Sequence, residues 1–204
     1  MEKVYEGRDT RIRLRREAQC LRRAASVLPV PAVVDEDEER GALRTTWIAG
    51  TPGQDVLRSG SPRSVLAATG SLLQQLQRDA ASLLAPVLEG AGTVVVHGDF
   101  GPQNLLLGTH GEVVALLDWE FAHMGDALED LAWAEWIVRM HHADAVDALD
   151  ALFIAYGMQP RWEARREAMV VHCAKLRQRC ETEGRVDAEE TWRSRLEATE
   201  QWRE

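Results

Sequence analysis

Apolar positions fall in two regimes along the chain. In residues 1–50 they come mostly in short runs. Residues 1–6 read as a strand that puts Lys3 and Tyr5 on one face and Val4 on the other, and Gly7-Arg8-Asp9 reads as a turn. A helical pattern follows from Thr10 to Ser26, with Ile12, Leu14, Ala18, Leu21 and Ala25 as its apolar stripe and arginines over the rest. Pro29 and Pro31 end it. Ala32-Val33-Val34 and Ala42 to Ile48 read as strands flanking an acidic turn, Asp35 to Arg40. Beyond residue 50 the spacing is mainly helical. Ser61-Pro62 opens a helix to about Leu84, buried through Val65, Leu66, Leu72, Leu73 and Leu76. Helices are also expected over Asp126 to Met140, Ala143 to Tyr156, Pro160 to Glu183, and from Asp187 as a cap to Trp202. One strand-like region interrupts them. Thr93 to Val96 is apolar, and Leu105 to Leu107, the turn Gly108-Thr109-His110-Gly111 and Glu112 to Leu117 form a hairpin. The pattern predicts an α+β protein with a small strand/helix lobe (1–50) and a larger, mainly helical lobe (51–204) that carries the hairpin.

Charge narrows the class of partner. The formal net charge is −9, which argues against binding nucleic acid through its phosphates. No run approaches the ~20 apolar residues of a membrane span, and the N-terminus lacks the apolar region of a signal peptide. Three cysteines, Cys20, Cys173 and Cys180, make no disulfide framework and read as buried thiols, with the last two on one helix face. A cytoplasmic protein is expected.

The chemistry concentrates in His97-Gly98-Asp99-Phe100-Gly101-Pro102-Gln103-Asn104 and Leu116-Leu117-Asp118-Trp119-Glu120. Asp99 directly follows an apolar strand. The hairpin folds the chain back, so Asp118 returns to the neighbourhood of Asn104. That leaves one carboxylate placed as a base, and an amide oxygen and a second carboxylate facing a shared point. Hard oxygen ligands of this kind suit Mg²⁺. His97, beside the candidate base, could be an acid-base group, a metal ligand or a structural residue.

HGDFGPQN followed by LLDWE resembles the motifs of the aminoglycoside phosphotransferase/choline kinase family, which shares the protein-kinase fold. The resemblance implies that Asp99 is the base and that Asn104 and Asp118 hold Mg²⁺. It also implies that His97 packs beneath the catalytic loop and orders it. Lys3 and Glu17 match the family's strand lysine and helix glutamate, an ion pair that holds the nucleotide's phosphates. Thr46, Trp47 and Ile48 look like the hinge that reads the base of ATP or GTP. Gly125-Asp126-Ala127-Leu128-Glu129-Asp130-Leu131-Ala132 resembles the family's GDPxxDLA segment, with Ala127 in place of Pro. There Asp126 would cap a helix, Asp130 would tie that helix to the loop, and Glu120 would brace the loop or approach the metal.

Nothing in this chain before Lys3 matches the family's first two strands and the loop over the phosphates. The small lobe is therefore expected to be truncated, or its start to lie downstream of the true one. An open sheet edge beside the first strand would offer a second copy of the chain a pairing site. The resemblance implies a phosphotransferase acting from ATP or GTP on the hydroxyl of an amino sugar, aminoglycoside-like compound or amino alcohol. Glu129, Glu135 and Asp144 could meet a cationic acceptor or form a solvated helix face. Two other classes stay open: a non-catalytic kinase-like protein that binds a nucleotide or partner, and a helical interaction domain. His141-His142 reads as a solvated helix end.

Overall fold

The computed structural model describes all of residues 1–204. The N-terminal unit is a three-stranded antiparallel sheet with one helix against it. Its strands are β1 (Glu2–Val4), β2 (Val33–Asp37) and β3 (Ala42–Thr45), in the order β1-β3-β2, with Lys3 opposite Leu43. Lys3 and Tyr5 face inward and Val4 faces out, as the alternation requires.

The acidic stretch behaves differently from the expected turn. β2 runs through Asp35 and Glu36 to Asp37, pairing Glu36 with Leu43, and the reversal comes at residues 38–41. Gly41 supplies the positive φ of 64° that this tight reversal needs. β3 also ends earlier than read, at Thr45 rather than Ile48. Pro29 and Pro31 lie ahead of β2, and Pro31 has no N–H with which to extend the ladder. Thr46 closes it by donating its N–H to Ala32 O (2.8 Å) and accepting the Ala32 N–H on its hydroxyl (3.0 Å).

Helix α1 (Thr10–Ala24) buries Leu14, Glu17, Ala18, Leu21 and Ala24, which is i, i+3, i+4, i+7 spacing. Ile12 and Ala25 fall off that stripe and are exposed, contrary to the sequence reading.

The second unit opens with the short strand β4 (Thr51–Pro52) and helix α2 (Gly53–Ser59), neither anticipated. Helix α3 (Pro62–Asp79) stops short of Leu84. The chain restarts at Ala80, whose carbonyl takes the N–H groups of Leu83 and Leu84, and a brief α4 (Ala81–Leu84) follows. Strand β5 (Val94–Val96) leads into the HGD segment. A 3₁₀ turn (Pro102–Asn104), β6 (Leu105–Leu107) and β7 (Val113–Leu116) form the predicted hairpin, and β4 adds to its outer edge. Strand β8 (His123–Gly125) pairs antiparallel with β5.

Helix α5 (Ala127–His141) begins at Asp126, whose carboxylate accepts the Leu128 N–H while Glu129 accepts the Asp126 N–H. The expected single helix over Ala143–Tyr156 is a 3₁₀ segment (Ala143–Ala148) followed by α6 (Leu149–Tyr156). Helices α7 (Trp162–Thr182) and α8 (Val186–Gln201) close the chain. Asp187 sits in the first turn of α8, with Arg185 at the cap.

One apolar cluster of 35 buried residues joins Tyr5, Leu14 and Leu43 of the first unit to Leu66, Leu105 and Trp119 of the second. A smaller cluster, with Trp133, Trp136 and Met169, binds α5 to α7 and α8. Beneath it lies Arg165, 1% exposed, paired with fully buried Glu135 at 2.6 Å. Glu135 also takes Arg139, so it is neither solvated nor available to a ligand. His142 is buried as well, where a solvated end was read. No helix is long and apolar enough to cross a membrane.

Candidate active site

β5 delivers the chain to His97, and two turns then fix the loop. Gly98 has φ 85°, and a Cβ there would sit 2.6 Å from Phe121 O, so this position accepts only glycine. His97 is fully buried, edge-on to Trp119 and Phe100. Its Nε2 lies 2.9 Å from Leu117 O and so carries the proton, leaving Nδ1 to accept the Asp99 N–H at 3.4 Å. Burial pushes its pKa down to about 4, so the ring is a neutral tie between the loop and the end of β7. From α5, the Asp130 carboxylate accepts the His97 N–H at 2.6 Å and the Gly98 N–H at 3.0 Å. Burial pushes that carboxyl up to about 7 despite both donors.

Asp99 is half-buried. Trp133 Nε1 donates to its Oδ1 at 3.0 Å, and Asn104 Nδ2 donates to its Oδ2 at 3.0 Å and its carbonyl at 2.8 Å. Gln103 adds longer bonds to both acceptors, the carbonyl and Oδ1. Burial raises the pKa of Asp99 and these donors pull it down. With its amide nitrogen committed to Asp99, Asn104 has its amide oxygen free of any donor in the protein.

Asp118 adopts φ 65°, left-handed backbone that is costly for a non-glycine residue and recurs where a side chain must be aimed. Its Oδ1 takes Lys3 Nζ at 2.6 Å. The same ammonium reaches Glu17 Oε2 at 2.7 Å and Glu120 Oε1 at 3.5 Å. Glu17 also accepts the Tyr5 hydroxyl. Desolvation lowers the Lys3 pKa, and the two carboxylates more than offset it, for a net rise. Glu120 accepts Arg13 at 2.6 Å and its carbonyl accepts Arg16, which braces the DWE segment against α1.

Lys3, Glu17, Asn104 and Asp118 therefore line one cavity of about 330 Å³ between the two units. A second of about 260 Å³ shares Met1, Pro31 and Leu117 with it and is lined by Thr46, Trp47 and Ile48. Trp47 is 77% exposed there rather than part of the core. A third cavity, about 400 Å³, holds Asp99 on its wall together with Phe121, Trp133, Leu176 and Trp192. Asn104, on the wall of the first cavity, donates to Asp99, on the wall of the third. Trp133 was read only as an apolar helix position. Its i, i+3 spacing with Asp130 on α5 was the available signal, since both then face the loop.

The donor set fits a hard divalent cation: an unpaired amide oxygen and a half-exposed carboxylate on one cavity wall, with no softer ligand beside them.

Among curated proteins, "Clavilactone A biosynthesis cluster protein Y" from Ampulloclitocybe clavipes is 31% identical over 96 residues, 47% of this chain. The aligned part makes up only 23% of that relative's own length. Among solved structures, macrolide 2'-phosphotransferase MphH from Brachybacterium faecium superposes with a TM-score of 0.71 at 18% identity, covering 96% of this chain and 83% of that one. The GDP and kanamycin complex of APH(2")-IIia gives 0.74 at 9% identity, covering 98% and 93%. These likenesses establish the protein-kinase-like fold. Residues 61–168, just over half of the chain and including the whole HGD-to-DWE segment, match the model of the phosphotransferase enzyme family, and the chain belongs to that family.

Proposed function

We propose that this protein moves the γ-phosphoryl group of ATP or GTP to a hydroxyl of a small molecule. The observation that carries the reading is the hydrogen bonding of Asn104, which shares a cavity wall with Lys3 and Asp118, to Asp99, the candidate base on the wall of another cavity. Residues 1–50 serve as the nucleotide-holding unit and hinge, and residues 51–204 as the catalytic and acceptor-binding unit.

Lys3, fixed by Glu17, offers its ammonium to the α/β-phosphates, and Thr46, Trp47 and Ile48 line the place for the base. Asn104 and Asp118 would hold Mg²⁺, which supplies positive charge against the phosphate oxygens. Asp118 must then share its carboxylate, which now holds Lys3. Asp99 accepts the acceptor's hydroxyl proton. The hydroxyl oxygen bonds to the γ-phosphorus, the bond from that phosphorus to the bridging oxygen breaks, and the nucleoside diphosphate leaves with its electrons. Trp133, Gln103 and Asn104 hold the Asp99 carboxylate in one orientation, so alignment is set before the acceptor arrives. His97, Glu120, Asp126 and Asp130 act one step back, holding the loop, the DWE segment and α5 in register.

Asp99→Ala tests the reading. Turnover, followed as nucleoside diphosphate release, should fall by the ~10²–10⁴-fold typical of a lost general base. The melting temperature, and its rise with ATP or GTP plus Mg²⁺, should persist. A fully active variant would remove Asp99 from the role, and nucleotide binding by the wild-type protein without turnover on any acceptor would point to a non-catalytic binding protein.

A further inference from the structure

Resting on the reading above, we propose that the acceptor is an uncharged, hydroxyl-bearing aromatic compound, not a polycationic amino sugar. The evidence is the make-up of the cavity that has Asp99 on its wall. Its apolar surface includes Phe121, Trp133, Leu176 and Trp192. The Trp192 ring lies 6.1 Å from Trp133 at a tilt of 34°. His172 stacks on Trp133 at 3.8 Å, and burial drops its pKa to about 4, so it is a neutral ring near pH 7. Rings gathered around a space of about 400 Å³ favour a flat apolar body that can stack on them or meet their edges.

The charged groups of this cavity are spent within the fold. Asp130 is buried beneath two backbone N–H groups. Glu129 takes His123 at 3.4 Å, Lys175 at 3.5 Å and the Asp126 N–H. The cations are used up in the same way. Lys175 has that same Glu129, and Arg179 donates to Glu183 at 2.9 Å while lying over the Phe121 ring at 4.9 Å. Neither sign is left over. An ammonium or a carboxylate carried into this space sheds its water without gaining a counter-charge, whereas a neutral ring bears no such cost.

Asp99 is the exception, and its carboxylate is reserved for the hydroxyl that reacts. Its donors in the protein, Trp133, Gln103 and Asn104, are all neutral. The acceptor's O–H adds one more neutral donor to that set, with the aromatic body resting on the rings beside it.

The test is calorimetric binding to wild-type protein of a series matched in shape: 6-methyl-2-naphthalenemethanol, 6-(hydroxymethyl)-2-naphthoate and 6-(aminomethyl)-2-naphthalenemethanol, with kanamycin as the polycation. The methyl compound should bind most tightly, by about tenfold or more over each charged one. Leu176→Glu, which puts an unpaired carboxylate on the wall, should reverse the order in favour of the aminomethyl compound. Trp192→Ala should weaken the methyl compound about tenfold, with the melting temperature showing a folded protein. If Leu176→Glu does not fold, the wild-type ranking and Trp192→Ala decide the matter. No binding of the methyl compound, equal or tighter binding of either charged compound or kanamycin, or affinity unchanged by Trp192→Ala would overturn the proposal. Addition of ATP or GTP with Mg²⁺ then reads the transferase separately. A neutral alcohol that binds as expected but is never phosphorylated defeats the phosphotransferase reading and leaves the preference of the cavity standing. Phosphorylation of kanamycin and not of the alcohol does the reverse.

Discussion

Trp133→Phe isolates one hydrogen bond at the centre of the site. The indole N–H donates to Asp99 Oδ1 at 3.0 Å, and without it that oxygen keeps only Gln103 at 3.3 Å. The ring itself is held independently, stacked on Trp136 at 4.3 Å and on His172 at 3.8 Å, so phenylalanine keeps much of the stacking. A hydrogen bond to a charged group contributes about 1.5–3 kcal/mol. If that is lost from the transition state, kcat falls roughly tenfold to a hundredfold. The bond also favours the ionised carboxylate, opposing the burial that pushes Asp99 up. Removing it raises the pKa further. Because the base works ionised, activity is lost as pH falls through that pKa, and the acidic limb of kcat/KM should move to higher pH. Nucleoside diphosphate release, measured across pH with kcat and KM separated, reads both effects. A merely structural role would lower stability without moving the limb. An unchanged kcat with a stationary acidic limb would refute the assignment of Trp133 as a positioning residue.

Asp130→Asn should destabilise the fold by about 1–3 kcal/mol in denaturant titration, because two backbone N–H groups need acceptors and the amide supplies one. The folded pKa of Asp130 is about 7, above the ordinary carboxylate value, so the folded protein binds more protons between about pH 4 and 7 and wild-type stability falls across that window as pH rises. The asparagine variant should show a flatter profile there, and an identical slope would contradict the burial argument. At the buried pair, Arg165→Ala should cost up to about 3–5 kcal/mol by leaving fully buried Glu135 with Arg139 as its one ion-pair partner, whereas Arg165→Met with Glu135→Leu should recover most of it. Equal losses in the single and double variants would show that packing around Arg165, not the under-compensated charge, sets the cost.

The family, and the convergence of Asn104 and Asp118, were legible because they rest on local motifs. Asp99, Asn104 and Asp118 lie on one loop and one hairpin, and the hairpin's register brings the last two together whatever surrounds them. The capping of α5 by Asp126 was legible for the same reason. Lys3 reaches Asp118 across most of the sequence, and only its resemblance to a family pattern pointed there. The misread elements are those decided by partners remote in sequence. β4 and β8 have two and three residues and exist because β6 and β5 offer them edges. Ile12 looked apolar enough for the core, but the stripe that the sheet accepts lies on another face of α1.

The apolar flank beside Asp99 lies at the far end of that scale. Phe121 follows the DWE segment, Leu176 belongs to α7 and Trp192 to α8, and no spacing rule connects them. Each reads along the chain as ordinary helix or loop packing. What makes them a surface is the pairing of α7 with α8 over α5, which leaves one apolar flank open beside Asp99. The same packing consumes the acids that looked suited to a cation: Glu135 goes to Arg165 and Arg139, and Glu129 to His123 and Lys175. Of the carboxylates that could have met a cation or formed a solvated helix face, Glu129 and Glu135 are thus spent on partners within the fold. The groups proposed to move the phosphoryl group sit in short-range motifs, where the local backbone can fix their geometry to a fraction of an ångström. Acceptor selection needs only a shaped and charged surface, which long helices can assemble from scattered positions. Sequence therefore points to the reaction well before it points to the molecule being phosphorylated.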